Sequence, residues 1–322
     1  MFSLKRFCIL FYFLLCSSPI FAQTIMPNPI TIKREDGTRI NYYLHLKQQN
    51  RHTEDLLVIL QGSDCNSVSR IKTIEKLKTI YPVVDALTVE KYGIDETLPY
   101  NPDPERIDCP AEYMKKDNPY QRVTDLDKVI TTIISCYNYK RIILIGGSEG
   151  SLVANILSSK VTYIKAAVLF GGGGRFFIDD VIHSMKYSSS SPEELKKNIE
   201  GITQFADYIL KNDPFEISMS NHGYLWWKTM LSTDQLELLL SIETPVLFVQ
   251  GGNDKSASPE KASEMMELVK NGEKKNITYL FYPGYDHSLN LSAADNSADF
   301  VLNDIRRWLS KELLLKQNYK KD

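Results

Sequence analysis

Short runs of consecutive apolar residues are the feature that most constrains how this chain can fold. Runs of this kind, with no polar alternation, are typical of parallel strands that helices bury on both faces. They occur at Leu56–Leu60, Ile142–Ile145, Ala166–Phe170 and Val246–Val249. Helical patterns separate them, at Ser67–Thr79, Gln121–Cys136, Glu149–Ser159, Pro259–Asn271 and Ala293–Leu314. The alternation predicts a three-layer α/β fold with a mostly parallel sheet.

The segment before this alternation predicts an antiparallel hairpin over Ile30–Lys47. Asp36-Gly37 is a two-residue turn signal, and the apolar residues after it alternate with polar ones. Val83–Val89 and Ile277–Tyr282 are predicted as further strands of the same sheet.

The segment from about 175 to 241 does not continue the alternation. It contains no clear strand but shows helical patterns at Pro192–Leu210 and Thr233–Leu240. We interpret it as a helical lid inserted over the carboxyl ends of the strands. Trp226 and Trp227 lie within it, and they either line a substrate pocket or pack inside the lid.

Composition and charge exclude several functional classes. The chain has 322 residues and a formal net charge of -2, so it lacks the basic surplus of a nucleic-acid-binding domain. No phosphate-binding loop is present, and Phe176 stands where a dinucleotide fingerprint after Gly171–Gly174 needs its third glycine. Cysteine and histidine show no zinc spacing. We therefore predict no cofactor, no metal and no nucleic-acid partner; the oligomeric state stays open.

Residues 1–22 have the pattern of a cleavable secretory signal. Lys5 and Arg6 precede an apolar stretch from Phe7 to Leu15, and Ala22 offers a small residue for cleavage. An uncleaved anchor or a lipoprotein at Cys16 is the alternative. The expected mature domain, 23–322, contains no second membrane span and would be periplasmic or secreted.

Export would place the remaining cysteines in an oxidising compartment. Cys65 and Cys109 both fall in predicted loops, whereas Cys136 ends a predicted helix. We therefore predict a Cys65–Cys109 disulfide, with three free thiols as the alternative.

The pentapeptide Gly146-Gly147-Ser148-Glu149-Gly150 carries the strongest chemical signal in the sequence. It follows a predicted strand and opens a predicted helix. A tight turn in this setting forces its serine into a strained conformation at the edge of the sheet, where its hydroxyl is accessible. Ser148 is thus a candidate nucleophile; the alternative is a turn without chemistry.

A serine nucleophile needs a base and an acid that orients the base. His287 is the only one of five histidines that follows a predicted strand after Ser148 in chain order. Asp254 follows the preceding strand and is the preferred acid, whereas Asp286 beside His287 fits a turn residue better.

An oxyanion hole needs two backbone donors. We predict the amide of Glu149, directly after the nucleophile, as one of them. The other is predicted in the loop Gln61–Cys65, at Ser63; the alternative is an ordinary turn. The predicted disulfide at Cys65 would hold this loop.

Three motifs together resemble the α/β-hydrolase superfamily: the Ser148 pentapeptide, Gly251-Gly252-Asn253-Asp254 and Gly284-Tyr285-Asp286-His287. The loop at Asp254 is similar to the branch of dienelactone hydrolase and prolyl oligopeptidase. The resemblance implies a serine hydrolase acting on an ester or thioester through Ser148, Asp254 and His287. The alternatives are a small peptidase acting on a short peptide, and a catalytically silent binding protein on the same fold.

Overall fold

The structure, a computed structural model, describes residues 28–47, 53–103, 105–291 and 298–318. The predicted signal at residues 1–22, including Cys16, lies outside the described residues. Within the described ranges, no helix combines the length and the hydropathy that a membrane span requires.

One sheet of eight strands forms the centre of the described fold. The strands are β1 (Ile30–Lys33), β2 (Arg39–His45), β3 (Asp55–Leu60), β4 (Asp85–Val89), β5 (Arg141–Gly147), β6 (Ile164–Phe170), β7 (Val246–Gly251) and β8 (Ile277–Tyr282). Their spatial order is β1-β2-β4-β3-β5-β6-β7-β8. β1 and β2 pair antiparallel with each other, β2 pairs antiparallel with β4, and the pairs from β4 to β8 are parallel. The predicted mostly parallel sheet with an N-terminal hairpin is confirmed.

Helices cover both faces of this sheet. They are α1 (Lys72–Leu77), α2 (Ala111–Lys116), α3 (Pro119–Cys136), α4 (Glu149–Lys160), α5 (Phe177–Ser188), α6 (Pro192–Lys211), α7 (Tyr224–Ser232), α8 (Gln235–Ser241), α9 (Pro259–Asn271) and α10 (Ala298–Asn318). Alternate strand residues point to opposite faces, so Leu144 of β5 belongs to the buried cluster that includes residues of α3, α4 and α9, whereas Ile143 and Ile145 belong to the cluster that includes residues of α1 and α10. Burial on both faces explains the continuous apolar runs.

The hairpin differs from its prediction at the turn. Five residues, 34–38, separate β1 from β2, where a two-residue turn was expected. Asp36 accepts hydrogen bonds from both the amide and the hydroxyl of Thr38, and Gly37 has a φ of 83°. The guanidinium of Arg34 binds Asp125 on α3 at 2.7 Å, while the amide of Arg34 donates to the carbonyl of Thr38 at 2.8 Å.

The predicted helix over Ser67–Thr79 is also wrong as a single element. A 3-10 turn at Val68–Arg70 precedes α1. The buried carboxylate of Glu90 accepts hydrogen bonds from the Ser67 hydroxyl and the Val68 amide, and these bonds hold the start of the segment to β4. Between β6 and β7 lie α5, α6, α7 and α8, and the sequence analysis identified only α6 and α8 of these four.

The predicted disulfide between Cys65 and Cys109 is confirmed, with the two Cα atoms 5.9 Å apart. It ties the loop after β3 to the segment before α2. Cys136, at the end of α3, has an exposed free thiol.

We expect that replacing both Cys65 and Cys109 with serine lowers the free energy of unfolding by about 2–4 kcal/mol. The bridge closes a sequence separation of 44 residues, so its loss enlarges the conformational freedom of the unfolded chain. Urea unfolding of the double variant measures this change. Cys136→Ser removes a thiol that bridges nothing and serves as the matched control; equal stability of the two variants would contradict the prediction.

Candidate active site

Ser148 stands at a sharp turn between β5 and α4. Its backbone has φ 55° and ψ -127°, a conformation that L-residues rarely adopt outside strained sites. Two glycines make the turn possible. A Cβ atom on Gly146 would lie 2.2 Å from the carbonyl oxygen of Gly150, and a Cβ on Gly150 would lie 2.5 Å from that of Leu60. The pentapeptide therefore needs glycine at both positions for steric reasons.

Asp254 and His287 lie side by side on the loops that follow β7 and β8. The Nδ1 atom of His287 is 2.8 Å from Oδ2 of Asp254. The amide of Asn253 donates to the carbonyl of Tyr285 at 2.9 Å, which joins the two loops directly. Because β7 and β8 are neighbours in the sheet, their carboxyl ends bring the two side chains together although 33 positions separate them.

The carboxyl group of Asp254 is buried, with 1% of the residue exposed. Burial alone would raise its pKa, but the hydrogen bonds from His287 and from the amides of Ala257 and Ser256 outweigh burial and lower it below the ordinary value. The side chain of Gln250 donates to Oδ2 at 3.1 Å as well. Asp254 is thus held as an ionised acceptor, so that His287 carries its proton on Nδ1 and leaves Nε2 free as a base.

Asp286, the other acid considered, has a different set of contacts. Its Oδ1 accepts hydrogen bonds from the amides of Ser288 and Asn290, both at 2.9 Å. These bonds close the turn after β8.

A cavity of about 250 Å³ opens beside Ser148 and His287. The ring of His287 lies over Gly171, where a Cβ would come within 3.2 Å of it. Among the described residues, no hydrogen bond joins the Ser148 hydroxyl to the ring. Such catalytic hydrogen bonds often form only when substrate is bound. The cavity is lined on its other sides by residues of α4, α5, α7 and α8, including Leu152, Phe177, Val181, Trp226, Met230 and Gln235.

The loop after β3 approaches Ser148 from the opposite side. Ser63 lines the cavity, and a Cβ on Gly62 would lie 3.5 Å from the Cβ of Ser148. Both predicted amide donors, those of Ser63 and Glu149, therefore belong to segments in contact with the candidate nucleophile.

A buried ionic cluster lies directly behind the nucleophile. The carboxylate of Glu149 binds Arg122 of α3 at 2.5 Å and lies 3.6 Å from Nζ of Lys91, and all three side chains are almost completely buried. Burial would raise the pKa of Glu149, but the charges of Lys91 and Arg122 outweigh burial and lower it to about 2. Trp226 adds a hydrogen bond from Nε1 at 2.8 Å.

The two cations of this cluster also hold the loop that carries Ser63. Arg122 donates to the carbonyl of Gln61 at 2.8 Å, and Lys91 donates to the carbonyl of Asp64 at 2.9 Å. Glu149 thus connects the segment after Ser148 with both ends of the Gln61–Asp64 loop. The local sequence gave no sign of these partners, because Lys91 and Arg122 come from other elements.

The two tryptophans of the insertion have different surroundings. Trp226 lines the cavity and stacks on His222 with 3.6 Å between ring centroids. Trp227 packs edge-on against Phe205, donates to the carbonyl of Met219, and is not among the described residues that line the cavity.

His183 of α5 contacts the loop that carries Asp254, and the sequence analysis did not predict this contact. Its Nε2 lies 2.9 Å from the backbone carbonyl of Asp254 and ties the insertion to the acid loop. Within the part of the chain that the structure describes, no group of three or more His, Cys, Asp or Glu side chains has an arrangement suited to a metal ion.

Solved structures share this architecture. The chain matches Est1E from Butyrivibrio proteoclasticus with a TM-score of 0.58 and 15% identity, over 89% of this chain and 99% of that one. It matches the Pyrococcus furiosus esterase Pf2001 with a TM-score of 0.61 and 16% identity, over 88% and 90% of the two chains. The chain has the α/β-hydrolase fold. The fold that the motifs indicated is thereby confirmed.

The same α/β-hydrolase fold occurs in a longer protein, a puromycin-hydrolyzing peptidase of Mycobacterium tuberculosis. The TM-score is 0.56 at 13% identity, over 87% of this chain but 37% of that one. A family profile described as "BAAT / Acyl-CoA thioester hydrolase C terminal" matches residues 136–292, a range that includes Ser148, Asp254 and His287. A comparison with curated proteins found no significant match to the sequence.

Proposed function

We propose that this protein is a serine hydrolase that cleaves an ester or thioester through Ser148, Asp254 and His287. The observation that carries the proposal is the 2.8 Å contact between His287 and a buried, ionised Asp254, beside a cavity that Ser148 also lines. A base with a fixed tautomer next to a strained serine is the arrangement that activates a hydroxyl for acyl transfer.

The proposed reaction has two steps. His287 takes the Ser148 proton on Nε2 as the hydroxyl oxygen attacks the carbonyl carbon, and the amides of Glu149 and Ser63 bind the resulting oxyanion. The protonated ring then gives its proton to the departing alcohol or thiol as the carbonyl–heteroatom bond breaks. Water attacks the acyl-enzyme in the same way and releases the acid and the free serine.

Two structural neighbours and the family profile support ester or thioester cleavage. Pf2001 is described as an esterase, Est1E has a structure with ferulic acid bound, and the matching family profile names acyl-CoA thioester hydrolases. The disulfide supports a site of action outside the reducing cytosol, in the periplasm or medium.

A fluorophosphonate probe followed by mass spectrometry tests the nucleophile. We expect a single adduct on Ser148, because the probe reacts with serines that have an activated hydroxyl. Ser148→Ala should carry no adduct, and Ser151→Ala, which removes a buried hydroxyl in the first turn of α4, should label like the unmodified protein. An adduct elsewhere, or none on folded protein, would contradict the proposal and favour a silent binding protein.

A substrate panel then separates the remaining alternatives. Nitrophenyl esters, acyl thioesters and peptide amides are compared by kcat/KM on the same preparation. Turnover of the amides with efficiency equal to that of the esters would favour the peptidase alternative.

A further inference from the structure

Two side chains that line the cavity each have one acceptor oxygen with no hydrogen-bond donor among the described residues. They belong to Asp180 of α5 and Gln235 of α8, and each residue is only 5% exposed. Buried polar groups are nearly always hydrogen-bonded, because leaving one unpaired costs about 1–3 kcal/mol. Oε1 of Gln235 is fully buried, whereas Oδ2 of Asp180 is not among the fully buried oxygens, so a ligand in the cavity can supply a donor to Asp180.

Only one of the two carboxylate oxygens of Asp180 accepts hydrogen bonds from described residues. Oδ1 accepts hydrogen bonds from the amides of Ser258 at 2.7 Å and Gly174 at 3.4 Å. Oδ2 has no hydrogen-bond partner among the described residues. The carboxyl group lies against the backbone of Gly173, where a Cβ would come within 2.0 Å of Oδ2.

The orientation of the Gln235 amide is determined by its nitrogen. Nε2 donates to the carbonyls of Gly172 at 2.8 Å and Gly174 at 2.7 Å, so the nitrogen cannot exchange places with the oxygen without losing both bonds. Oε1 is buried and has no partner among the described residues. Gly174 contacts both side chains, since its amide donates to Asp180 and its carbonyl accepts from Gln235.

The pairing of the carboxylates around the cavity also favours a ligand that donates a hydrogen bond to Asp180. Of the carboxylates that line or adjoin the cavity, Asp254 is paired with His287, and Glu149 with Lys91 and Arg122. Asp180 has no ion pair among the described residues. Burial raises its pKa to about 7, and the two amide hydrogen bonds oppose this only in part.

We infer that the cavity binds an acyl group that carries a hydrogen-bond donor, an ammonium or a hydroxyl, which binds Asp180 Oδ2. This inference rests on the proposed function, since it places the acyl group of the Ser148 substrate in the cavity. Apolar walls from Leu152, Val181 and Met230 would enclose the carbon chain up to the donor.

Matched esters test the inference on the unmodified protein. Nitrophenyl 3-aminopropanoate and 3-hydroxypropanoate are nearly the same size as the butanoate, and the 6-aminohexanoate matches the heptanoate at a longer reach. With rates corrected for spontaneous hydrolysis, we expect a donor ester of at least one length to exceed its alkyl counterpart about 10–100-fold in kcat/KM, as expected for a hydrogen bond to a charged group. A comparison of kcat/KM between the amino ester and the hydroxy ester shows which donor the cavity prefers.

Asp180→Asn is the matching variant. Asparagine keeps an oxygen for the amides of Ser258 and Gly174, so the fold is retained, but it replaces the free acceptor with a donor. We expect the preference for donor esters to disappear, because kcat/KM for the donor esters falls to that of their alkyl counterparts. Asp179→Asn removes a neighbouring carboxylate that does not line the cavity and should keep the preference.

The two proposals fail in different ways. If alkyl esters are cleaved as fast as donor esters at both lengths, the inference is overturned while the proposed function stands. An equal loss of Asp180→Asn activity on all esters would also overturn it, because a purely structural role predicts that result. If no ester is cleaved and Ser148 is not labelled, the proposed function itself fails.

Discussion

Replacing Asp254 with asparagine is expected to lower kcat for ester cleavage by about 10⁴-fold while the protein stays folded. The asparagine oxygen can still accept from the amides of Ser256 and Ala257, which preserves the loop. Its amide nitrogen, however, would face Nδ1 of His287 and the donating side chain of Gln250. The ring then needs the opposite tautomer, with its proton on Nε2, and is no longer a base toward Ser148.

The measurement is kcat on a nitrophenyl ester together with the thermal unfolding midpoint. Asp286→Asn is the matched control, since it changes the other candidate acid and keeps an acceptor for the amides of Ser288 and Asn290. We expect the control to lose less than tenfold. If the two variants exchanged these results, the acid would be Asp286, and the proposed triad would be wrong at that position.

Replacing Glu149 with glutamine is expected to lower the free energy of unfolding by about 3–5 kcal/mol at pH 7. The change leaves the buried cations Lys91 and Arg122 without their main counter-charge. It also weakens the support of the Gln61–Asp64 loop, since those cations hold its carbonyls. A displaced Ser63 amide would cost kcat as well, by about 10²-fold for one lost oxyanion donor.

The stability lost in the Glu149→Gln variant should depend on pH, and the pKa of Glu149 determines the direction of the change. The pKa of Glu149 is about 2 in the folded protein and 4.5 as its ordinary value, so the folded state favours the ionised form. Its stabilising contribution is complete above about pH 4.5 and is lost as the pH falls toward 2. The stability difference between the original protein and Glu149→Gln should therefore shrink between pH 5 and pH 3 in urea unfolding.

Glu267→Gln is the control for the Glu149 variant. Glu267 is an exposed carboxylate on α9, and we expect its replacement to change the free energy of unfolding by less than about 0.5 kcal/mol. Equal effects of the two variants at pH 7 would contradict the argument that the buried cluster stabilises the loop.

The sequence by itself determined the strands of the sheet and the place of each proposed catalytic residue along the chain. Both follow from local properties: burial on two faces produces apolar runs, and a strained turn at Ser148 requires glycine at Gly146 and Gly150. Local patterns were less informative where distant contacts intervene. Glu90, directly after β4, binds Ser67, and this distant contact explains why the segment after Ser67 differs from its prediction.

Only the tertiary structure decided which polar groups meet. Lys91 and Arg122 are unremarkable in the sequence, and their role as partners of Glu149 depends on how α3 and the loop after β4 pack behind β5. The positions of Asp180 and Gln235 in the cavity, and of Trp226 but not Trp227 on its wall, depend in the same way on the packing of the insertion. Apolar periodicity predicts which face of an element is buried. It does not predict the hydrogen-bond or ionic partner of a buried polar group, because that partner usually lies far away in the chain.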